Sequence, residues 1–333
     1  MQTRSDTDRT DVAGGKPGKS SWKLLLKVVI SLVVLGFVFH TTGIEKTWGE
    51  LSTANLWYVP VGVLVYLASQ GVSAYRWQFL ARALGFHLSW KQFYEYYLIG
   101  MYFNLFLPGA IGGDVGRMVM LAKNCGRKKR EALLTLLAER GVGLVALMFL
   151  TTLIGLLPVA TPVPISIRMT LAGMSLVGVI GFIALRLMPV EAWVERFPRL
   201  ALLVQARVYW ADGPLLLKSV ALSLGVHGCM ILIQVLIAQA LGLSVPVLYL
   251  ALVYGLVSLI SVMPVAFNGL GVREGAYQFL LVKEGIPPET ALAFALYWFV
   301  ISTLTSLLGG LVLLRERDKP FSAADMATAE APE

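Results

Sequence analysis

Charged side chains interrupt an otherwise apolar chain in three short stretches, and they are the residues best suited to chemistry. They are Asp114 and Arg117 in PGAIGGDVGR, Glu139 and Arg140 in LLAERGVG, and Arg273 and Glu274 in NGLGVREG. A charge at membrane depth costs about 2.5–3.5 kcal/mol on insertion scales, so each one needs a partner, a ligand or water. We therefore predict a polar substrate site built from these side chains.

Arginine in such a site is suited to hold a phosphate, because its planar guanidinium donates two parallel hydrogen bonds to one anion. Arg117 and Arg273 are the predicted headgroup ligands. Asp114, Glu139 and Glu274 would balance them in the empty site, select a cationic headgroup or carry a coupling proton, and the sequence leaves these roles open. In the structural alternative the arginines form ion pairs that lock helices together, and Asp114 caps its own helix.

Small residues stand just before both of these arginines. Gly112, Gly113, Asn268 and Gly269 follow a proline at the predicted start of a helix, and glycine there lets exposed N–H groups approach an anion. We include these four residues in the predicted substrate site. The sequence has no HExxH, GxSxG or Walker A motif, so we expect no metal, no cofactor and no enzyme activity.

The composition places this site in a membrane. Of the 333 residues, 57% are hydrophobic and 14% are charged, and the mean hydropathy is +0.72, which is typical of an integral membrane protein. We predict one all-α membrane domain over residues 22–314, flanked by disordered cytoplasmic tails at 1–21 and 315–333. The net charge of +8 is interpreted as a topology signal and not as nucleic-acid binding.

Apolar segments recur along this domain. They fall at 22–42, 56–81, 92–108, 131–158, 165–188, 215–241, 246–265 and 288–314. Two shorter helices, at 112–123 and 270–283, each follow a Pro/Gly break and are too short to span about 30 Å of hydrocarbon comfortably. The segment 189–212 is interpreted as an amphipathic connector on the cytoplasmic surface.

Basic residues indicate how these segments cross the membrane. Lys and Arg cluster in the N-terminal tail, at 82–91, 123–130 and 186–207, and after 314, and cytoplasmic loops are enriched in them. All five clusters lie on the same side of the membrane only if the chain enters the membrane and returns to the side of entry at 92–123, and does so again at 246–283. This predicts about six full spans, two re-entrant helical hairpins and two cytoplasmic termini.

An internal repeat supports the same plan. At the offset that carries Arg117 onto Arg273, PGAIGGDVGR and PVAFNGLGVR share Pro, Ala, Gly and Arg, and the flanking apolar segments also coincide. The repeat halves are about 56–158 and 215–314. Their opposite orientation would give the inverted-topology repeat of secondary transporters.

Two long stretches around these boxes carry a family resemblance. They are YFNLFLPGAIGGDVGRMVML with EALLTLLAERGVGLVAL, and SLISVMPVAFNGLGVREGAYQFLLVKEG with ALAFALYWFV. They resemble the flippase-like membrane family typified by the transmembrane region of bacterial lysylphosphatidylglycerol synthases. The resemblance covers about residues 22–314 and implies movement of a lipid across the bilayer. The soluble aminoacyltransferase domain that some members carry is not in this sequence, so lysyl transfer is not implied.

The combined prediction is a transporter of the cell inner (plasma) membrane that moves a phospholipid or polyprenyl-linked lipid between leaflets. The headgroup would be held between the two hairpins. The alternatives are a membrane-embedded transferase acting on a lipid-linked substrate and a scaffold for a lipid-modifying enzyme. The predicted partners are the lipid and the membrane, with no nucleic acid; a homo-oligomer or a lipid-modifying enzyme as partner stays open.

Three further polar residues have weaker signals. Arg76 and Glu95 lie near the predicted cytoplasmic ends of their spans, so we expect their head groups to reach the interface. His227 lies in the middle of a span. It is either a proton relay or a histidine packed between helices and bonded to a neighbour, and we favour packing.

Overall fold

The computed structural model describes residues 29, 33, 36–38, 40, 42–106, 111–126, 129–160, 162–187, 201–262 and 270–315. Regular secondary structure in these residues is entirely helical, which confirms the predicted all-α class. The α-helices are α1 Ile44–Thr53, α2 Tyr58–Arg82, α3 Trp90–Phe106, α4 Ile111–Cys125, α5 Lys129–Gly155, α6 Ile165–Leu187, α7 Ala201–Ala206, α8 Val208–Ala211, α9 Gly213–Ala240, α10 Val247–Val262, α11 Val272–Lys283 and α12 Pro288–Arg315. A 3-10 helix, Pro158–Ala160, joins α5 to α6.

The predicted segments from 56–81 onward agree with these helices within about one helical turn at each end. The predicted first span, 22–42, lies mostly outside the described residues. The tails 1–21 and 315–333 also lie outside them, apart from Arg315. Of the predicted connector 189–212, residues 201–212 are described and contain the two short helices α7 and α8.

Four of the described helices are long and apolar enough to cross a membrane, namely α5, α6, α9 and α12. The pair α1 and α2, bent by 87°, is a fifth candidate. Length and composition therefore support a multi-pass membrane protein with four to five candidate spans in the described part of the chain. The count of six spans remains a prediction.

The ends of α2 and α9 follow from their sequences. Gly85 and Gly242, just after these two helices, have φ angles of 80° and 66°, a left-handed conformation that glycine adopts without strain. At the start of α9, the Asp212 carboxylate accepts the Leu215 N–H at 3.0 Å, and a proline in the first turn favours the same helix start. Local signals thus mark where these two helices begin or end.

The helices pack in pairs that cross between the two halves of the chain. α2 lies along α9, α3 packs against α12, and α10 packs against α5. Within each half two consecutive shorter helices also pack on each other, α3 on α4 and α10 on α11. Lipid tails are as apolar as leucine, so such packing depends on close approach of small residues. At Gly309 of α12, for example, an added Cβ would lie 2.0 Å from the Leu98 carbonyl oxygen of α3.

Two buried apolar cores flank the region where the halves meet. The first core is formed by α2, α3, α4 and α5, and its members include Trp77, Phe93, Leu121 and Leu136. The second lies among α5, α9, α10, α11 and α12, and its members include Tyr249, Tyr277, Phe294 and Ile233. The first core directly supports the charged residues described next.

Candidate functional site: a buried charge cluster

Five charged side chains from three helices meet in one group, here called the charge cluster. Its members are Arg76 of α2, Asp114 and Arg117 of α4, and Glu139 and Arg140 of α5. Three arginines and two carboxylates give the cluster a formal charge of +1. Arg76, Arg117 and Glu139 are at most 5% exposed, whereas the Arg140 side chain is 45% exposed. The cluster is therefore buried at its centre and open at the Arg140 edge.

Glu139 is the centre of the charge cluster. Its carboxylate accepts hydrogen bonds from Nη2 of Arg76, from Nη2 of Arg117 at 3.4 Å and from the Tyr97 hydroxyl at 3.2 Å. A buried carboxylate is tolerated only when several donors offset its desolvation. Glu139 thereby ties α2, α3 and α4 to α5.

Asp114 forms the outer part of the cluster. It accepts a hydrogen bond from Nε of Arg140 and a longer one, 3.3 Å, from Nη1 of Arg117. Within the described residues its hydrogen bonds go to these arginines and not to the backbone of its own helix. Asp114 also lies in the first turn of α4, so the capping role considered for it stays a prediction beside these ion pairs.

Arg76 and Arg117 each keep a spare donor. Among the described residues neither Nε–H has a hydrogen-bond partner, although both atoms are buried. Nη1 of Arg76 is used, since it donates to the Ser223 hydroxyl of α9 at 2.6 Å. Buried polar groups in proteins are nearly always bonded, so such exceptions point to a ligand or a water. Two spare guanidinium donors in a group of net positive charge suit an anionic ligand.

Aromatic rings hold Arg117 without using its N–H groups. Its Cζ atom lies 3.9 Å from the ring centroid of Tyr97 and 4.3 Å from that of Trp77, within the range of cation–π attraction. Trp77 is fixed in turn by a hydrogen bond from Nε1 to the Thr135 hydroxyl at 2.9 Å. The guanidinium is therefore positioned by ring faces as well as by its two carboxylate partners, while its Nε–H has no partner among the described residues.

The start of α4 is held against α3. The Asn104 side-chain oxygen accepts the Gly113 N–H at 2.9 Å, and a Cβ on Gly113 would lie 2.1 Å from the carbonyl oxygen of Gly100. The N–H predicted to approach a headgroup is thus bonded to Asn104, and the glycine makes room for α3. Gly112 lies in the first turn of α4 and is partly exposed. Two predicted site residues lie outside the described residues, Asn268 and Gly269, as do the two predicted helix breakers, Pro108 and Pro264.

Arg273 and Glu274 form a separate pair at the start of α11. Nε and Nη2 of Arg273 donate to one Glu274 oxygen at 3.1 and 2.7 Å, and the other oxygen accepts the Gly271 N–H at 2.6 Å. Arg273 also lies 5.7 Å from the ring centroid of Phe299. In the described residues, Arg117 and Arg273 share no hydrogen-bond, ion-pair or ring partner. Tyr66 lies near both Arg273 and Tyr97.

Arg76 is the site residue that sequence reasoning missed. The prediction that its head group reaches the interface is wrong, because the residue is 5% exposed and is bonded to Glu139 and Ser223. Its distance from the helix end carried a signal. It lies six residues before Arg82, the last residue of α2, or about 9 Å at 1.5 Å per residue, which is deep for a head group that must reach water.

The other two polar residues fit their favoured roles. His227 is buried between helices, with Nε2 at 3.0 Å from the Gly143 carbonyl oxygen and Nδ1 at 2.9 Å from the Tyr254 hydroxyl. Since a carbonyl only accepts, Nε2 carries the proton and Tyr254 donates to Nδ1. Glu95 pairs with Lys91 at 3.8 Å in an exposed contact.

The fold and the site together define a multi-pass α-helical membrane protein with a buried, net positive charge cluster. The described residues contain no group of three His, Cys, Asp or Glu side chains that could hold a metal ion. The charge cluster instead has the donor groups for an anion.

The chain belongs to the family described as the lysylphosphatidylglycerol synthase TM region, which it matches over residues 24–310. It is similar to a UPF0104 membrane protein of Pyrococcus horikoshii, at 22% identity over 334 residues, covering 89% of this chain and 98% of the relative. It is also similar to a UPF0104 membrane protein of Methanothermobacter thermautotrophicus, at 24% identity over 294 residues, covering 80% and 87%. The predicted family is therefore confirmed, and with it a membrane protein related to lipid handling.

Proposed function

We propose that this protein is a transporter that moves a phospholipid or a polyprenyl-linked lipid between leaflets, with the lipid phosphate held by Arg76 and Arg117. The observation that carries the proposal is the pair of buried Nε–H groups without partners in a cluster of charge +1. A phosphate oxygen would accept both in charge-assisted hydrogen bonds. Glu139 would hold the two arginines in place when the headgroup leaves.

Arg117 is suited to exchange its partners during transport. Its ion pairs with Asp114 and Glu139 are 3.3 and 3.4 Å long, whereas strong charge-assisted hydrogen bonds are about 2.7–2.9 Å. Replacing these long contacts with a phosphate therefore costs little. Arg273, on the second hairpin, would receive the headgroup on the other part of its path, past Tyr66.

Helix packing supports an inverted-topology repeat as the basis of the movement. The offset between the halves carries α3 onto α10 and α5 onto α12, so the contact of α3 with α12 corresponds to the contact of α10 with α5. It also carries α2 onto α9, so the contact between α2 and α9 corresponds to itself. A two-fold relation between halves produces this exchange. Transporters built in this way place their sites at broken helices and rock one half against the other. The proposal includes two re-entrant hairpins and an inner-membrane location with both termini cytoplasmic, in agreement with the five basic clusters.

The test is lipid movement in liposomes that contain the purified protein. A fluorescent phosphatidylglycerol in the inner leaflet becomes accessible to a membrane-impermeant quencher only if it crosses. We expect protein-dependent crossing that falls at least tenfold in Arg117→Gln and Arg76→Gln. Arg82→Gln removes an exposed arginine from the end of α2, the helix that carries Arg76. It serves as the matched control and should keep the wild-type rate.

Each variant is first checked for folding by gel filtration and thermal melting in detergent. Arg117→Lys provides a second measurement, because it keeps the charge, usually folds where a neutral variant fails, and lacks the planar donor pair. We expect it to transport more slowly than the wild type. Rates equal to those of protein-free liposomes would refute transport, and wild-type rates in folded Arg117→Gln would refute the assigned site.

A further inference from the structure

An open groove of about 550 Å³ runs between α2, α3 and α9. Its floor is formed by small residues of α2, Ala68 and Gly71, and one wall by Trp90 and Tyr94 of α3. The lining is almost entirely apolar. The groove shares α2 with the charge cluster, since Tyr75 lines the groove and the following residue, Arg76, belongs to the cluster.

The aromatic wall of the groove is held in place. Trp90 and Tyr94 are stacked with their ring centroids 5.4 Å apart and an angle of 5° between the planes. Trp90 donates from Nε1 to the Gly71 carbonyl oxygen at 3.0 Å, and the Tyr94 hydroxyl donates to the Leu67 carbonyl oxygen at 3.2 Å. Because these donors are used by the protein, the wall offers an occupant only ring faces. The part of a ligand that lies here is therefore hydrocarbon.

A cation stands at the mouth of the groove. Nζ of Lys218 lies 3.2 Å from the hydroxyl of Tyr75 and 4.2 Å from the ring centroid of Phe79. In the part of the chain that the structure describes, Lys218 forms no ion pair with a carboxylate. The neighbouring ends of α2 and α3 carry Arg82 and Lys91, so the mouth faces the basic end of the bundle. A hydrocarbon groove that ends at a cation without an ion-pair partner is complementary to an anionic lipid, which has an apolar chain and a negative headgroup.

We propose that this groove is a docking site for one anionic glycerophospholipid. An acyl chain lies along Ala68 and Gly71, and the phosphate contacts Lys218. Burial against lipid-like walls provides little driving force inside a membrane, so selection depends on the shape of the groove and on Lys218. The volume is that of a small-ligand pocket, and a protein helix about 10 Å wide would not fit. This inference goes beyond the proposed function, because docking does not require transport.

The experiment is photo-crosslinking in nanodiscs with the full chain. Phosphatidylglycerol and phosphatidylcholine probes carry the same diazirine in one acyl chain, and the labelled peptides are identified by mass spectrometry. We expect the peptide that contains Leu67–Tyr75 to be labelled, and more strongly by phosphatidylglycerol. Ala68→Phe fills the floor and should reduce this labelling at least fivefold. Ala184→Phe places the same side chain on an exposed position of α6 and should leave it unchanged.

Lys218→Ala tests the headgroup contact. It should lower labelling by phosphatidylglycerol about fivefold, the effect of one lysine near an anionic surface, and should lower phosphatidylcholine labelling less, because choline offsets the charge of that lipid's phosphate. Equal labelling by the two probes in the wild-type protein, or labelling unchanged by Ala68→Phe, would overturn the proposal. Arg117→Lys should retain the labelling even where it loses transport, so failure of the transport proposal and failure of the docking site are distinguishable.

Discussion

The two halves of the chain share their helices but not their charges. At the offset that places Arg117 on Arg273, the other four members of the charge cluster fall on apolar residues of the second half. Arg76, Asp114, Glu139 and Arg140 correspond to Leu232, Leu270, Ala295 and Leu296. The charge cluster therefore belongs to the first half alone of the proposed repeat.

This difference changes what holds each short helix. In the first half, α4 is tied by ion pairs to α2 and α5 through Glu139 and Asp114. In the second half, the charge of Arg273 is met by the adjacent residue Glu274, which also closes the start of the same helix. Charge thus links helices in the first half and stays local in the second. We expect substitutions of charged residues to destabilise the two halves to different degrees.

The largest effect is expected for Glu139→Ala. Removing this carboxylate leaves two buried arginines without their shared partner, and breaking a buried pair from one side costs about 3–5 kcal/mol. Glu274→Ala removes the carboxylate that meets Arg273 in the second half, and with it a helix-start contact and a local pair, for which we expect about 1–2 kcal/mol. The free energy of unfolding is measured by SDS titration in mixed micelles.

A double variant separates charge burial from lost packing. Glu139→Ala combined with Arg76→Met removes one of the orphaned cations, so it should be more stable than Glu139→Ala alone. Equal losses for Glu139→Ala and Glu274→Ala would show that the comparison between the halves is wrong.

A smaller effect is expected where the halves pack on each other. In the interface between α12 and α3, Gly309→Ala would place a Cβ 2.0 Å from the Leu98 carbonyl oxygen. In the interface between α10 and α5, Gly255→Ala would place a Cβ 2.1 Å from Oγ1 of Thr151. A backbone carbonyl cannot turn away as a side chain can. We expect Gly309→Ala to cost about 1–3 kcal/mol and Gly255→Ala less.

Melting temperatures of the two glycine variants in one detergent provide the measurement. Thr151→Ala shortens the obstructing side chain, so it should recover stability in Gly255→Ala and should not do so in Gly309→Ala. Recovery in both variants, or in neither, would mean that the two interfaces do not differ in this way.

The positions of the helices could be predicted from the sequence because their causes are local. A hydrocarbon core of fixed thickness sets the lengths of the apolar segments, and Pro, Gly and Asp212 mark their ends. The charged stretches around Asp114, Arg117 and Glu139 could also be identified, because a charge in an apolar helix is costly wherever it lies.

What the sequence could not provide was the partner of each charge. Arg76 bonds to Glu139 across 63 residues, and considered within α2 alone it resembled a residue near a helix end. Arg117 and Arg273 occupy matching positions in the repeat, which suggested that they face each other. Their environments differ because Glu274 satisfies Arg273 locally, whereas Arg117 has Tyr97, Trp77 and a carboxylate from another helix. Equivalent positions in a repeat thus do not have equivalent contacts.

The smallest effect on stability is expected for Arg273→Gln, and it is the most informative for function. Its ion pair joins adjacent residues, and the glutamine amide can still donate to the buried Glu274 carboxylate, which also keeps its bond to Gly271, so we expect a loss of about 1 kcal/mol. A loss of lipid movement in this variant would therefore report on the path of the headgroup and not on folding.

A substitution of Arg117 does not separate an effect on lipid movement from an effect on folding so cleanly, because it also disturbs Glu139. Arg273→Gln should melt within a few degrees of the wild-type protein and should move fluorescent phosphatidylglycerol several-fold more slowly in liposomes. If it transports at the wild-type rate, the second hairpin is not on the lipid path, and the role in transport belongs to the first half alone. If it melts as low as Glu139→Ala, the second half is also held together by its charge, and the contrast between the halves fails.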